Sequence, residues 1–352
     1  MRKPGILNHK SLSLKAGSPL VTGTLILTAT GLASRLIGFF YRIYLSRLFG
    51  EENIGIYQLI SPVMALVFSL SAAGIQSAIS KFVAGKAALH DYKTSGQILL
   101  VGFAYSLFLS LICLAGVWRF SDFIATYLLF EKRCAPLLRI AALSFPFSCA
   151  HSCINGYFYG IRKTGVPAST QLIEQLCRVG SVFFIAGRIL SRGMQPTVTV
   201  AAVGLAIGEL GSMMISLPAA YLHFSRKMPQ MGREGRKARP GAYTVLSRQI
   251  LGFAAPLSAN RLCLNLLQAI EAACIPAKLQ IFGHSVADSL SVYGVLTGMA
   301  MPFIFFPNAL TSSVAVLLLP VISENYALGN YRAVKNATLK TVRYCGLMGI
   351  CC

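Results

Sequence analysis

The sequence is built from apolar blocks too long for the core of a water-soluble domain. A helix rises 1.5 Å per residue, so crossing a hydrocarbon layer about 30 Å thick takes roughly 20 mainly apolar residues. Eight such blocks lie near Pro19–Leu48, Ile54–Ser80, Gln97–Val117, Pro136–Tyr159, Ala168–Leu190, Val198–Phe224, Ile250–Ile275 and Ser289–Ile322. A ninth begins at Val342 and reaches Cys352 after about half the length a crossing needs. The pattern predicts an all-α integral membrane protein, a polytopic helical bundle whose C-terminal lobe is incomplete. Only 12% of the residues are charged, about half the share of a soluble domain. That excludes a water-soluble enzyme, a disordered tail and a secreted disulfide scaffold.

The net charge of +21 would suggest nucleic acid in a soluble protein. Here the apolar blocks separate the basic residues, so the charge reads as topology, with no nucleic-acid partner. Lys and Arg concentrate in the N-terminal tail, after the second block (Lys81, Lys86, Lys93), after the fourth (Arg162, Lys163) and after the eighth. The segment after the sixth is the most basic, with Arg226, Lys227, Arg233, Arg236, Lys237, Arg239 and Arg248. Alternate loops hold far fewer. Cytoplasmic loops attract Lys and Arg, so the chain is expected to sit in the cytoplasmic membrane with its N-terminus inside. The division that follows is a tail at 1–18, a six-helix lobe at 19–224, a basic loop at 225–248 and a second lobe at 249–352. That second lobe would hold two helices and the start of a third. The basic loop is either solvated or in contact with anionic membrane lipid.

Charge buried in a bilayer is expensive, so intramembrane ionisable groups are the functional candidates. Arg35 and Arg42 share one face of the first helix, with Ser34 beside them. Glu174 and Arg178 form an i,i+4 ion pair on the fifth helix, either a cavity-side pair or a structural pair that lowers the cost of burial. Arg261, Asn265 and Gln268 align on the seventh, flanked by Glu271, as a binding face or, alternatively, as interhelical hydrogen-bonding groups. Glu209 lies beside a seam of Gly204, Gly208 and Gly211 suited to close helix contact. Glu209 and Glu271 are candidates for proton or ion coupling, a partnered structural role being the alternative for Glu209. His151 and Asn155 on the fourth helix read as an interhelical hydrogen-bonding pair.

Cys149, His151 and Cys153 fall short of the four ligands a structural metal site needs. Neither metal nor cofactor is expected, and no phosphate loop or hydrolase motif is present. Prolines 62, 146, 218, 256, 302 and 307 fall inside helical blocks and favour bends. Arginine outweighs acid among the intramembrane groups, and a guanidinium binds phosphate oxygens in a bidentate fork. The expected ligand is therefore anionic, a phosphate or pyrophosphate.

The stretch Ser34-Arg35-Leu36-Ile37-Gly38-Phe39-Phe40-Tyr41-Arg42-Ile43, continuing to Gly55-Ile56-Tyr57-Gln58-Leu59, resembles the stage V sporulation protein B group. So do Tyr293-Gly294-Val295-Leu296-Thr297-Gly298 through Pro302 and Leu319-Pro320-Val321-Ile322-Ser323-Glu324. That group belongs to the polysaccharide-exporter branch of the multidrug/oligosaccharidyl-lipid/polysaccharide flippase superfamily, beside the lipid II flippases. The resemblance implies two lobes in a V, alternating access, and export of a lipid-linked pyrophosphate saccharide for the cell wall or spore cortex. It places Ser34 and Arg35 on the cavity wall. The second helix-one arginine of those flippases falls at Tyr41, one position before Arg42. The reading is thus a flippase without enzymatic activity, with Arg35, Arg42 and Arg261 contacting pyrophosphate. Its rivals are a toxin-extrusion drug or cation antiporter, a non-transporting membrane scaffold, and a membrane glycosyl- or acyltransferase.

Overall fold

A computed structural model describes residues 19–89, 91–231, 242–304 and 308–351. Among these the regular structure is entirely helical. Helix α1 (Pro19–Phe49) turns at Gly50, whose φ of 83° suits glycine, directly into α2 (Glu51–Phe68). A π turn at Ser69–Ala73 joins α2 to α3 (Gly74–Ala88). There follow α4 (Tyr92–Arg119), a short α5 (Ser121–Phe123), α6 (Cys134–Ala142), α7 (Phe145–Gly160), α8 (Gly165–Leu190) and α9 (Thr199–Met231). The remainder is α10 (Ala242–Ile281), α11 (Val286–Val295), α12 (Met301–Ile304), α13 (Asn308–Ala327) and α14 (Tyr331–Cys351). The eight full-length apolar blocks are helical where described, apart from a turn at Leu143–Ser144 that breaks the fourth.

Four stretches are each long and apolar enough to cross a bilayer: Glu51–Ala88, Tyr92–Arg119, Thr199–Arg226 and Tyr243–Ile281. The pair α6 and α7, bent by 45°, makes a fifth among the described residues. The outer surface is apolar, as lipid requires: Phe108, Phe183, Phe184 and Tyr221 are all more than 60% exposed. Helices α1 and α8 fall outside that set. They carry Arg35, Arg42, Glu174 and Arg178, and they wall the cavity described below.

The structure departs from the sequence reading in two places. The ninth helix begins at Tyr331, not Val342, and runs 21 residues. Its first half is polar, with Arg332, Lys335 and Lys340, and Asn330 caps it by accepting the Ala333 N–H at 3.2 Å; hydropathy alone cannot see such a start. Helices α9 and α10 extend to Met231 and from Ala242, into the basic segment expected as loop; residues 232–241 lie outside the described residues. As expected of prolines inside helical blocks, Pro62, Pro218 and Pro256 lie within α2, α9 and α10. Pro146 stands in the first turn of α7, where its missing N–H has no helical partner to lose; Pro302 stands in the first turn of α12, directly after a π turn at Leu296–Ala300, and Pro307 lies outside the described residues.

Two apolar cores organise the bundle. Leu45, Ile56, Leu59, Ile60 and Leu138 join α1, α2 and α6. Ile79, Val83, Ile98, Tyr157 and Phe158 join α3, α4 and α7, and Ile250 brings α10 onto them. The run α2–α3 lies beside the run α11–α13 in the same direction. At one end Gly55 and Gly294 let the backbones meet: a Cβ on Gly294 would stand 2.7 Å from Gly55 N, and one on Gly55 would strike the Leu290 carbonyl. Ser291 Oγ donates to Glu51 Oε2 there at 2.8 Å. At the other end α13 packs on α3, and Arg162 after α7 pairs with Glu324 of α13 at 2.7 Å.

Candidate functional site

A cavity of about 260 Å³ lies between α1, α2, α8 and α9. Ser34, Arg35, Gly38, Tyr41 and Arg42 line it from α1, one helical stripe brought to one face by 3.6 residues per turn. Tyr57, Gln58 and Ser61 face them from α2, and Gln175 and Arg178 from α8. The charged groups on this wall are all arginines. Ser34 Oγ, Tyr41 Oη and Arg178 Nε are buried and have no hydrogen-bond partner among the described residues. Polar atoms buried in that way are rare in folded proteins and mark a site.

Arg178 is held from behind. Its Nη2 donates to Glu174 Oε1 at 2.5 Å and lies 3.9 Å from Glu209 Oε1. Glu209 Oε2 in turn meets His151 Nε2 at 2.7 Å. Asn155 donates to Thr170 Oγ1 at 3.1 Å, so its bond is interhelical as expected, and its Nδ2 lies 3.5 Å from His151 Nδ1. The glycine seam makes this network possible. A Cβ on Gly208 would stand 2.8 Å from the Glu174 carbonyl oxygen, and one on Gly211 would stand 2.7 Å from Cys177 Sγ. Without side chains there, α9 comes close enough to α8 for Glu209 to reach Arg178.

Sequence reasoning found the Glu174–Arg178 pair from its spacing. It missed the link from His151 to Glu209, which are 58 positions apart. Ligand atoms of His151, Glu174 and Glu209 converge within 4.8 Å of one another. The Arg178 guanidinium already pairs with both carboxylates, so the group reads as an ion-pair network and not as a cation cage. Cys149 and Cys153 point elsewhere: Cys149 Sγ lies 3.2 Å from Ser71 Oγ and Cys153 Sγ lies 4.0 Å from the Gly102 carbonyl.

Arg261, Asn265 and Gln268 do not join the cavity of Arg35 and Arg42. Arg261 Nη1 donates to the Ala73 carbonyl at 3.4 Å. Asn265 Nδ2 donates to Ser69 Oγ and, at 3.2 Å, to the Ala65 carbonyl. Both side chains of α10 thus serve the π turn of α2–α3, where the regular hydrogen-bond ladder slips and carbonyls need other donors. Gln268 and Glu271 are exposed on α10.

Comparison with known proteins gives three findings. The family described as "Polysaccharide biosynthesis protein" matches residues 20–338. Stage V sporulation protein B of Bacillus subtilis (strain 168) is 29% identical over 335 residues, 95% of this chain and 64% of that protein. The lipid II flippase MurJ of the same organism is 24% identical over 345 residues, 93% of this chain and 62% of that protein. The chain therefore spans less than two thirds of the length of either relative. Among solved structures, a transporter of the MOP superfamily from Pyrococcus furiosus superposes with a TM-score of 0.68 at 14% identity, covering 95% of this chain and 71% of its own. At that identity the likeness concerns the fold.

Proposed function

The chain belongs to the polysaccharide biosynthesis protein family, and on that premise we propose that it moves a lipid-linked anionic saccharide across the cytoplasmic membrane by alternating access. The observation that carries this reading is the arginine-walled cavity with its unpartnered donors, Ser34 Oγ, Tyr41 Oη and Arg178 Nε. Guanidinium groups keep their charge when buried and match phosphate oxygens in pairs. Arg35 and Arg42 take the pyrophosphate, Ser34 and Tyr41 add hydrogen bonds, and the Glu174–Arg178 pair fixes the far wall. The lipid tail stays in the bilayer. The likeness to a lipid II flippase and to a sporulation protein supports a peptidoglycan-type substrate and a role in the spore cortex or cell wall.

Arg261, Asn265 and Gln268 lie on the second lobe and enter the substrate path when α10 moves off the π turn. Glu209 and Glu271 are the acids available for ion coupling. The basic loops face the cytoplasm. A drug or cation antiporter would set acids on the cavity wall. Here Glu174 and Glu209 stand behind Arg178 and are paired with it and with His151.

The test is transfer of a lipid-linked disaccharide-peptide in reconstituted vesicles. Arg35→Ala removes a charge-assisted hydrogen bond worth about 1.5–3 kcal/mol, so transport should fall about ten- to hundredfold with insertion unchanged. Arg35→Lys should restore part of it, because an ammonium lacks the fork. Full transport by Arg35→Ala would overturn the assignment.

A further inference from the structure

At the end of the bundle that carries Lys86, Arg162 and Lys163, a second cavity of about 260 Å³ opens between α3, the α7–α8 turn, α9 and α13. Arg162, Lys163, His223 and Glu324 line it. Arg162 has a φ of 58°. It ends α7 with its own N–H bonded to the Tyr159 carbonyl at 3.0 Å and the Lys163 N–H bonded to the Phe158 carbonyl at 2.9 Å. Helices that end in this pattern usually place glycine at the left-handed position. An arginine held there despite the strain points to a need for its side chain.

That side chain crosses to the other half of the molecule. Its Nη2 meets Glu324 Oε2 on α13 at 2.7 Å. Its Nε is buried and has no partner among the described residues. Lys163 Nζ stands in the same hollow, 3.3 Å from His223 Nδ1. The acidic residue on this wall is Glu324, and it engages one end of the guanidinium.

We infer that this hollow is a docking site for the phosphate of the transported lipid, and that the Glu324 carboxylate is a displaceable stand-in for that phosphate. The inference rests on the transport reading above for the identity of the anion. Carboxylate and phosphate offer a guanidinium the same planar, paired geometry. A phosphate would present oxygens to Arg162 Nε and Nη2 and to Lys163 Nζ together, where Glu324 meets Nη2 alone. The volume suits a phosphate or pyrophosphate; pockets for drug-sized molecules begin at about 300 Å³. Displacing Glu324 also removes the ion pair that ties α13 to the α7–α8 turn. The incoming headgroup would thereby weaken the contact that keeps the two halves together on this face, which is the differential interaction a conformational shift requires.

The experiment measures binding of radiolabelled inorganic pyrophosphate to the purified full chain by equilibrium dialysis. It uses an Arg35→Gln/Arg42→Gln background so that the central cavity does not contribute. Saturable binding should persist in that background. Glu324→Gln should tighten it about tenfold by removing the competitor, and Arg162→Gln should weaken it about tenfold or more. Arg162→Lys should lose less, because it keeps the charge. Absence of saturable binding, or indifference to Arg162→Gln or to Glu324→Gln, would overturn the site. If the background variant does not elute as a monodisperse species, the same contrast is read between Glu324→Gln and Glu324→Gln/Arg162→Gln. A second arm, in phosphatidylcholine nanodiscs, separates the sources of phosphate. Displacement of the probe by a polyprenyl pyrophosphate and not by phosphatidylglycerol is expected; the reverse would assign the hollow to bulk lipid and overturn the link to substrate. Pyrophosphate binding here together with failed lipid transfer by the wild type would sink the transport reading and leave the anion site standing.

Discussion

Replacing Arg178 with methionine strands two carboxylates inside the bundle. Glu174 Oε1 lies 2.5 Å from the guanidinium and Glu209 Oε1 lies 3.9 Å from it, with the acid side chains 19% and 14% exposed. After the substitution Glu209 keeps His151 at 2.7 Å, whereas Glu174 has no other ion pair among the described residues. Removing one partner of a buried pair costs about 3–5 kcal/mol, most of it the desolvation of the charge left behind. Residual exposure puts Arg178→Met near the lower end, about 3 kcal/mol. Removing the stranded charge as well, in Arg178→Met/Glu174→Gln, should cost at most about 1 kcal/mol, since replacing a whole buried pair is often neutral. The two side chains should therefore couple by at least about 2 kcal/mol in a double-mutant cycle, with the cost of Glu174→Gln alone adding to that figure. The assay is thermal unfolding in detergent, in a background lacking the exposed Cys263 and Cys274, followed with a thiol-reactive dye that reports the buried Cys134, Cys149 and Cys153 as they become accessible. A double variant as unstable as Arg178→Met would show that the arginine acts through packing, and the ion-pair account of the cavity wall would fail.

Three further outcomes are expected. Gly208→Ala would place its Cβ 2.8 Å from the Glu174 carbonyl oxygen, backbone that cannot swing away, and should destabilise by about 1–3 kcal/mol in the same melt; an unchanged melt would mean that α8 and α9 part freely. Hydrogen bonding from Arg133 holds the Glu131 carboxyl below its usual range, so its contribution is complete above the ordinary glutamate value of about 4.3 and is lost as pH falls through the lowered one. The melting points of Glu131→Gln and wild type should then differ by a constant amount from pH 8 to pH 5 and converge only in stronger acid, and convergence already at pH 5 would refute the assignment. Single cysteines at Ser285 and Leu328, in a background freed of native cysteines, should react with an impermeant maleimide from opposite faces, Ser285 from outside; labelling of both from one face would overturn the proposed orientation.

The helices were legible because apolar runs of bilayer length carry their own signal. The Glu174–Arg178 pair was legible because four residues make one turn. Gly204, Gly208 and Gly211 announced a close contact, but their spacing does not name the partner helix, and α8 emerges only from the fold. The bond from His151 to Glu209 joins α7 to α9 and leaves no local trace. The same holds for the Arg162–Glu324 pair, which spans both halves of the chain. The π turn at Ser69–Ala73 has no sequence signal beyond a run of small residues, so the polar face of Arg261 and Asn265 was legible on its helix but the carbonyls it meets were not. The start of α14 escaped notice because a hydropathy scan weighs Lys335 and Lys340 against a helix that a cap and good helix formers support.

The two ends of the seam between α2–α3 and α11–α13 answer to different variables. Around Gly55 and Gly294 the contact is backbone against backbone, and beside it the Ser291 hydroxyl donates to the Glu51 carboxylate, so among the described residues no ion pair crosses this end for electrolyte to screen. At Arg162 and Glu324 the side chains are 28% and 29% exposed, within reach of counterions whose screening length shrinks from about 8 Å at physiological ionic strength to about 3 Å at 1 M. Concentrated salt on that face alone loosens one end of the seam and leaves the other intact. The Arg162–Glu324 end is thus the salt-sensitive end of the seam, and the Gly55–Gly294 end is held by the shape of two close backbones.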